Sequence, residues 1–231
     1  MYRQFHFNKQ SSFKDFGLYI EKFKSNPPNP IIIKETIPFR SGSFDFSGIL
    51  NDGEREYSDR LIEITLFYQQ RDSKILYDWF DEIQMWLLNT IESRLKIDNI
   101  RGYFKARVSS ITDLNFLTRT GKVKVNFDCY PFKFEEFAED IWDEFNFITD
   151  VTEFNFFEVD NTKEILIINK GVSVVPNIVC SNEMNLTINN KTFNLKQGKN
   201  YIRRLKLKNG ENHITVSGSG TIEFLFSKEL L

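Results

Sequence analysis

The sequence predicts a mainly β protein, with an α+β N-terminal domain of antiparallel sheets and one helix, followed by a C-terminal β-sandwich. Three observations predict it. Short runs of alternating apolar and polar residues recur along the chain, the pattern of half-buried strands. One stretch alone, after residue 72, places its apolar residues three and four apart. Residues 135–160 carry ten Asp/Glu and no Lys/Arg, although the formal net charge of the 231-residue chain is only −2. That shift in composition divides the chain into an N-terminal domain at 1–134, an acidic aromatic connector at 135–160 and a sandwich at 161–231.

The elements follow in order. Leu61 to Tyr68 alternates, with Ile62, Ile64, Leu66 and Tyr68 on one face of a strand. Asp72 has the carboxylate that caps a helix, and the helix is expected to run to about Leu95. Ile75, Leu76, Trp79, Ile83, Trp86 and Leu87 form its apolar stripe, which Phe80 and Met85 widen. Such a stripe packs on a sheet. Phe104, Ala106 and Val108 line one face of the next strand, and Lys122 to Cys129 alternates throughout, as an antiparallel strand with one wet face does. Cys129 falls on its apolar side, the place of a small buried hydrophobe.

Beyond residue 161 every signal is β. Lys163–Ile168, Asn177–Cys180, Leu186–Ile188 and Lys191–Leu195 are expected strands, the last two joined by a turn at Asn189-Asn190. Asn209-Gly210 between Arg204–Leu207 and His213–Val216 predicts a hairpin, and Ser217–Gly220 predicts another turn before Thr221–Phe226. Short strands with regular turn signals make a sandwich.

Composition and motifs exclude several functions. With 41% hydrophobic and 27% charged residues the chain is globular, and no apolar run approaches the roughly 20 residues of a membrane span or the shape of a secretory signal. Two cysteines make no disulfide framework, and two histidines, His6 and His213, make no histidine-rich metal site. Ser217–Gly220 has no helix after it to bind phosphate, and Ser41-Gly42-Ser43 lacks the spacing of a nucleophile elbow. The carboxylates of 135–144 could supply a hydrolase pair, but catalytic carboxylates need burial, and an acidic run is ordinarily a solvated face. The run instead suits docking on a basic surface, such as Tyr201–Lys208, together with Phe145, Phe147, Phe154, Phe156 and Phe157. A sandwich could bind a surface glycan by stacking sugars on aromatics, yet residues 161–231 hold no Trp and only Phe193, Tyr201, Phe224 and Phe226. No catalytic, cofactor-binding or metal-ligating residue stands out, and no cofactor is expected.

The order of the pieces resembles a known family. Gly17–Ile20, Ile37–Gly42, Glu54–Arg60, the Trp-containing helix, Gly102–Val108 and Asp128–Phe132 come first. Asn169-Lys170-Gly171, Pro176, Gly198–Asn200 and Gly210–Ile214 follow. The set is similar to the distal tail protein (Dit) family of phages with long non-contractile tails and of their prophages. The resemblance implies a structural virion protein, not an enzyme. Its N-terminal domains would form a hexameric ring, and a galectin-like C-terminal sandwich would project outward. The ring would join the tail tube to the host-adsorption tip, next to the tube protein, the tape-measure protein and a tail-associated fibre or lysin. It would bind neither membrane nor specific nucleic-acid sequence, and it would be made in the bacterial cytoplasm. In some members the last strand returns to the first domain, a role Thr221–Ser227 would take here. A glycan-binding sandwich module is the alternative.

Overall fold

A computed structural model describes residues 4–49, 53–69, 76–112, 120–135 and 156–231. The chain forms two compact units, Met1–Lys133 with Leu231, and Phe134–Leu230. The acidic run from 136 onward, the Asp72 cap and Ile75 lie outside the described residues.

The first unit contains β1 (Phe5–Phe7), β2 (Gln10–Ser11), β3 (Tyr19–Ser25), β4 (Lys34–Thr36), β5 (Ser43–Asp45), β6 (Arg60–Gln69), α1 (Leu76–Leu88), β7 (Ser93–Ile97), β8 (Phe104–Thr112) and β9 (Thr120–Cys129). Seven strands form one antiparallel sheet in the order β2-β1-β7-β8-β9-β6-β3. Alternation sends Ile62, Ile64, Leu66 and Tyr68 of β6, and Val123, Val125, Phe127 and Cys129 of β9, to the dry face, where all are buried. α1 covers that face through Phe80, Ile83, Trp86 and Leu87. The Trp86 indole stacks on Phe5 and Phe16 and donates its N–H to the Phe7 carbonyl at 2.8 Å. A buried indole needs such an acceptor.

α1 is shorter than the sequence suggests. It stops at Leu88, and Leu95 belongs to β7, where Leu95 and Ile97 are buried and Arg94 and Lys96 face out. The short alternating run Ser93–Ile97 looks like a helix tail when read from spacing alone, but its pairing with both β1 and β8 makes it a strand. Met85, expected in the stripe, points away from the core and is 65% exposed.

The chain enters the second unit through β10 (Lys133–Phe134) and continues with β11 (Phe156–Val159), β12 (Thr162–Asn169), β13 (Asn177–Cys180), β14 (Met184–Ile188), β15 (Lys191–Leu195), β16 (Gly198–Tyr201), β17 (Gly210–Ser217), β18 (Gly220–Leu225) and β19 (Glu229–Leu230). Two four-stranded antiparallel sheets, β11-β18-β13-β16 and β12-β17-β14-β15, share one core that includes Ile165, Ile167, Leu186, Val216, Ile222 and Phe224. β11 falls in the stretch expected to be connector. The Asn189-Asn190 turn is as expected, both residues adopting positive φ.

Three expectations for this unit are overturned. The Asn209-Gly210 hairpin does not form: β17 is central, flanked by β12 and β14, so neither of its edges is open to Arg204–Leu207. Leu205 and Leu207 are nevertheless buried, and Leu207 bridges to Val174. Ser217–Gly220 is not a hairpin turn either. It carries the chain from one sheet to the other, with Gly218 and Gly220 at φ +141° and +138°, where a side chain is strained. A Cβ on Gly220 would also stand 2.3 Å from the Ser181 hydroxyl oxygen. Thr221–Leu225, finally, stays in its own sheet as β18, hydrogen-bonded to β11 and β13 on its two edges.

Two buried asparagines tie the loops of the second unit. Asn169 donates to the carbonyls of Val172 (2.8 Å) and Leu207 (3.0 Å) and accepts from the Gly171 N–H (2.9 Å). Asn212 accepts from the Lys208 N–H and donates back to the Lys208 carbonyl, both at 2.8 Å. Asn169→Ala leaves three backbone groups without these partners in a fully buried site. It is expected to cost about 2–3 kcal/mol in urea unfolding of the full chain, and Asn169→Asp, which sets a carboxylate against two carbonyls, is expected to cost more.

Candidate assembly surfaces

Little in the described residues is arranged for chemistry. No group of three or more His, Cys, Asp or Glu is placed to hold a metal ion among them. His6 lies 3.7 Å from Asp98, a half-buried pair, and His213 lies 3.6 Å from Glu211, an exposed one. Cys129 and Cys180 are free and buried. Burial pushes the Cys129 thiol up to about 12, against a smaller opposing pull from Arg60, and burial also raises Cys180. A thiol so protonated is no nucleophile at neutral pH.

The features that call for explanation are surfaces. Pro27-Pro28-Asn29-Pro30 leads out of β3 into an arm, pinned at its base by the Pro30–Tyr57 bridge and by the Ile31 N–H on the Glu56 carbonyl. β4 and β5 pair as a two-stranded ribbon through Lys34–Asp45, Glu35–Phe44 and Thr36–Ser43. Ile31, Ile32 and Ile33 on the way out, Ile37 and Phe39 at the tip, and Phe44, Phe46 and Ile49 on the return are all exposed. A two-stranded ribbon is marginal in water by itself, and an apolar surface of this extent marks an interaction site. At the tip Phe39 is fully exposed with φ +65°, a left-handed conformation that costs a non-glycine residue on the order of 1–2 kcal/mol. The Arg40 guanidinium next to it lies 4.2 Å over the Phe44 ring.

A second apolar feature lies on the outer side of α1. Met85, Leu88 and Ile91 are 65%, 53% and 90% exposed. With Asp81, Gln84 and Asn89, Met85 and Leu88 line an open groove of about 510 Å³. The segment 76–93 contains Asp78, Asp81, Glu82 and Glu92 and no basic residue.

The sheet's wet face is charged. Glu63 lies 2.6 Å from Lys124 and 3.4 Å from Lys24, and those ammonium groups hold its carboxyl below the ordinary carboxylate range. Lys122 pairs with Glu21, and Arg107 lies 4.0 Å from Asp128. In the second unit Phe193, Phe224 and Phe226 pack at the core, which leaves Tyr201 as the one exposed aromatic of residues 161–231. Phe156 of β11, on the opposite edge of the same sheet, is the other exposed ring of this unit among the described residues. The basic stretch Tyr201–Lys208 is partly buried through Leu205 and Leu207.

No protein-family model and no curated protein matches the sequence. Among solved structures, the chain is similar over 100% of its length, and 100% of the other chain, to the SPP1 Dit (gp 19.1) protein, a paradigm of the hub adsorption apparatus in phages infecting Gram-positive bacteria, with a TM-score of 0.67 and 12% identity. The chain has the Dit fold. Chains of the phage p2 baseplate in its activated conformation, with Sr and with Ca, match at TM-scores of 0.40 and 0.37 and 10% identity, over 98% and 99% of this chain and 96% of theirs. The Dit-like fold comprises both units, so the arm and the α1 groove are features of a chain with that whole-length architecture.

Cys129 yields a pH prediction. Its thiol ionises near 9.0 when exposed and near 12 when folded, so the folded state holds the extra proton in between. The stabilising difference is complete below pH 9 and is lost as pH rises through that window, by about 1.4 kcal/mol per pH unit. Chemical unfolding at pH 8, 9 and 10.5 should show wild type losing stability more steeply than Cys129→Ala.

Proposed function

We propose that this chain is a distal tail hub protein of a phage or prophage with a long non-contractile, siphovirus-type tail. In this reading it is a structural component of the virion and not an enzyme. Six copies form a ring through their N-terminal domains, and the ring joins the tail tube to the host-adsorption tip. The C-terminal two-sheet domain stands as a galectin-like sandwich. Its neighbours are the tube protein, the tape-measure protein and a tail-associated fibre or lysin, and the chain is made in the bacterial cytoplasm before entering the tail.

The observation that carries the reading is the likeness to the SPP1 hub over the full length of both chains. The exposed arm supports it. A subunit that closes a ring by head-to-tail contact needs two different surfaces that fit each other, and the first unit exposes an apolar arm and, elsewhere, an apolar helix ridge. The ion-paired wet face and the raised thiols fit a scaffold better than a reaction site.

Light scattering on the purified full chain, with negative-stain images of the peak, tests it. Six copies of the 27.3-kDa chain give about 160 kDa. A peak of that mass with six-fold rings is the expected result. A monomer that persists from micromolar to millimolar concentration counts against self-assembly into a ring.

A further inference from the structure

We propose that Arg60 is the receptor for a single carboxylate group from outside this chain, which its guanidinium takes as a bidentate pair at the end of the first sheet's dry face. The inference goes beyond the hub reading and does not depend on it.

Arg60 is the first residue of β6 and shares the parity of Ile62, Ile64 and Leu66, so its side chain enters the dry layer. It is 6% exposed. Its cross-strand partner is Cys129, and beyond Cys129 lies Ala106 of β8. α1 engages the opposite end of β6, where Trp79 and Phe80 stand 5.4 Å from the Tyr68 ring. A permanent cation thus sits at the rim of an apolar layer.

Among the described residues nothing pairs with that charge. The guanidinium makes no hydrogen bond or ion pair with them, and its Nε is shut off from solvent without an acceptor. The Cys129 thiol is protonated at neutral pH and offers no negative charge. Asp128 alternates to the wet face, where it lies 4.0 Å from Arg107, and Asp59 is exposed. The Phe104 ring lies 5.5 Å from the guanidinium, and one such contact returns only part of what burying a charge costs. Burial pulls the group below the ordinary arginine range, yet an arginine keeps its proton at neutral pH. A water can accept an N–H but leaves the charge unpaired.

The surroundings select a carboxylate over a phosphate. One guanidinium fork matches the two oxygens of one carboxylate. A phosphate dianion would bring a second negative charge to a site with one cation, beside the Phe104 ring and within reach of the fields of Asp59 and Asp128.

Titration of the full chain with sodium acetate at pH 7, at ionic strength held constant with sodium chloride, tests the site. The readout is the Arg60 Nε–H resonance, identified by its loss in Arg60→Met. The expected result is a saturating shift with a midpoint on the order of 10 mM. In thermal unfolding, acetate should raise the wild-type midpoint above that in chloride and leave Arg60→Met unmoved. In chloride Arg60→Met should melt no lower than wild type, because an unpaired buried charge has gone. Arg60→Lys, which keeps the charge and loses the fork, should need about tenfold more acetate for the same rise. Light scattering identifies the source: a mass that falls on adding acetate puts the carboxylate on a second copy, and a constant mass puts it on another molecule. A shift that never saturates, a thermal rise that persists in Arg60→Met, or a lower midpoint for sodium phosphate than for acetate overturns the proposal. Any of these results in a chain that still forms six-fold rings leaves the hub reading standing.

Discussion

Trp86 joins the N-terminal strand, the turn that follows it and the helix. Its ring is stacked between Phe5 and Phe16, and its N–H is satisfied by Phe7. Without that anchor the thirteen-residue helix would hold the dry face of a seven-stranded sheet through Phe80, Ile83, Leu87 and the half-buried Trp79. Helices of that length are not stable by propensity, so α1 exists because the sheet is there to receive it. The sheet in turn needs the helix, since one of its faces is continuously apolar from β1 to β9. The position of the groove follows from this mutual dependence. Pressing Phe80, Ile83, Trp86 and Leu87 inward turns Met85 and Leu88 outward.

The strands of β6 and β9 were legible in the sequence because a sheet with one wet face writes its register into every second residue, as from Ile62 to Tyr68. The order of the pieces pointed to the Dit fold for a related reason: turn residues such as Gly17, Gly198 and Gly210 are demanded by backbone geometry, all three having positive φ. The errors came where local signals meet tertiary context. Asn209-Gly210 is a strong hairpin signal, but β17 has both edges occupied, and nothing within ten residues reveals that. Leu95 continues a helical spacing and is nevertheless in a strand, because β1 offers it a pairing partner almost ninety positions away in sequence.

The exposed apolar surfaces were the least legible part. Ile31-Ile32-Ile33 and Phe44–Phe46 have the composition of core strands, and a sequence does not say whether an apolar strand is covered by its own chain or by another. Met85 was placed in the helix stripe, but it stands about 100° around the helix from Trp86 and is exposed. The signals that could have marked the arm were its frame, Pro27-Pro28-Asn29-Pro30 before it and Gly48 and Gly53 after it, and the scarcity of alternation between them.

The passage from β17 to β18 across Gly218 and Gly220 bears on how the second unit comes into being. β11 pairs only with β18, and β12 only with β17, while β13 and β14 each use one of these late strands as a second neighbour. The two inner strands β17 and β18 are therefore made after every other strand of the two four-stranded sheets. Until they emerge, the earlier segments can make only the β13–β16 and β14–β15 pairs. Folding of this unit consequently waits on β17 and β18, and a nascent chain stalled before residue 210 would display the apolar faces of both half-built sheets to whatever lies nearby.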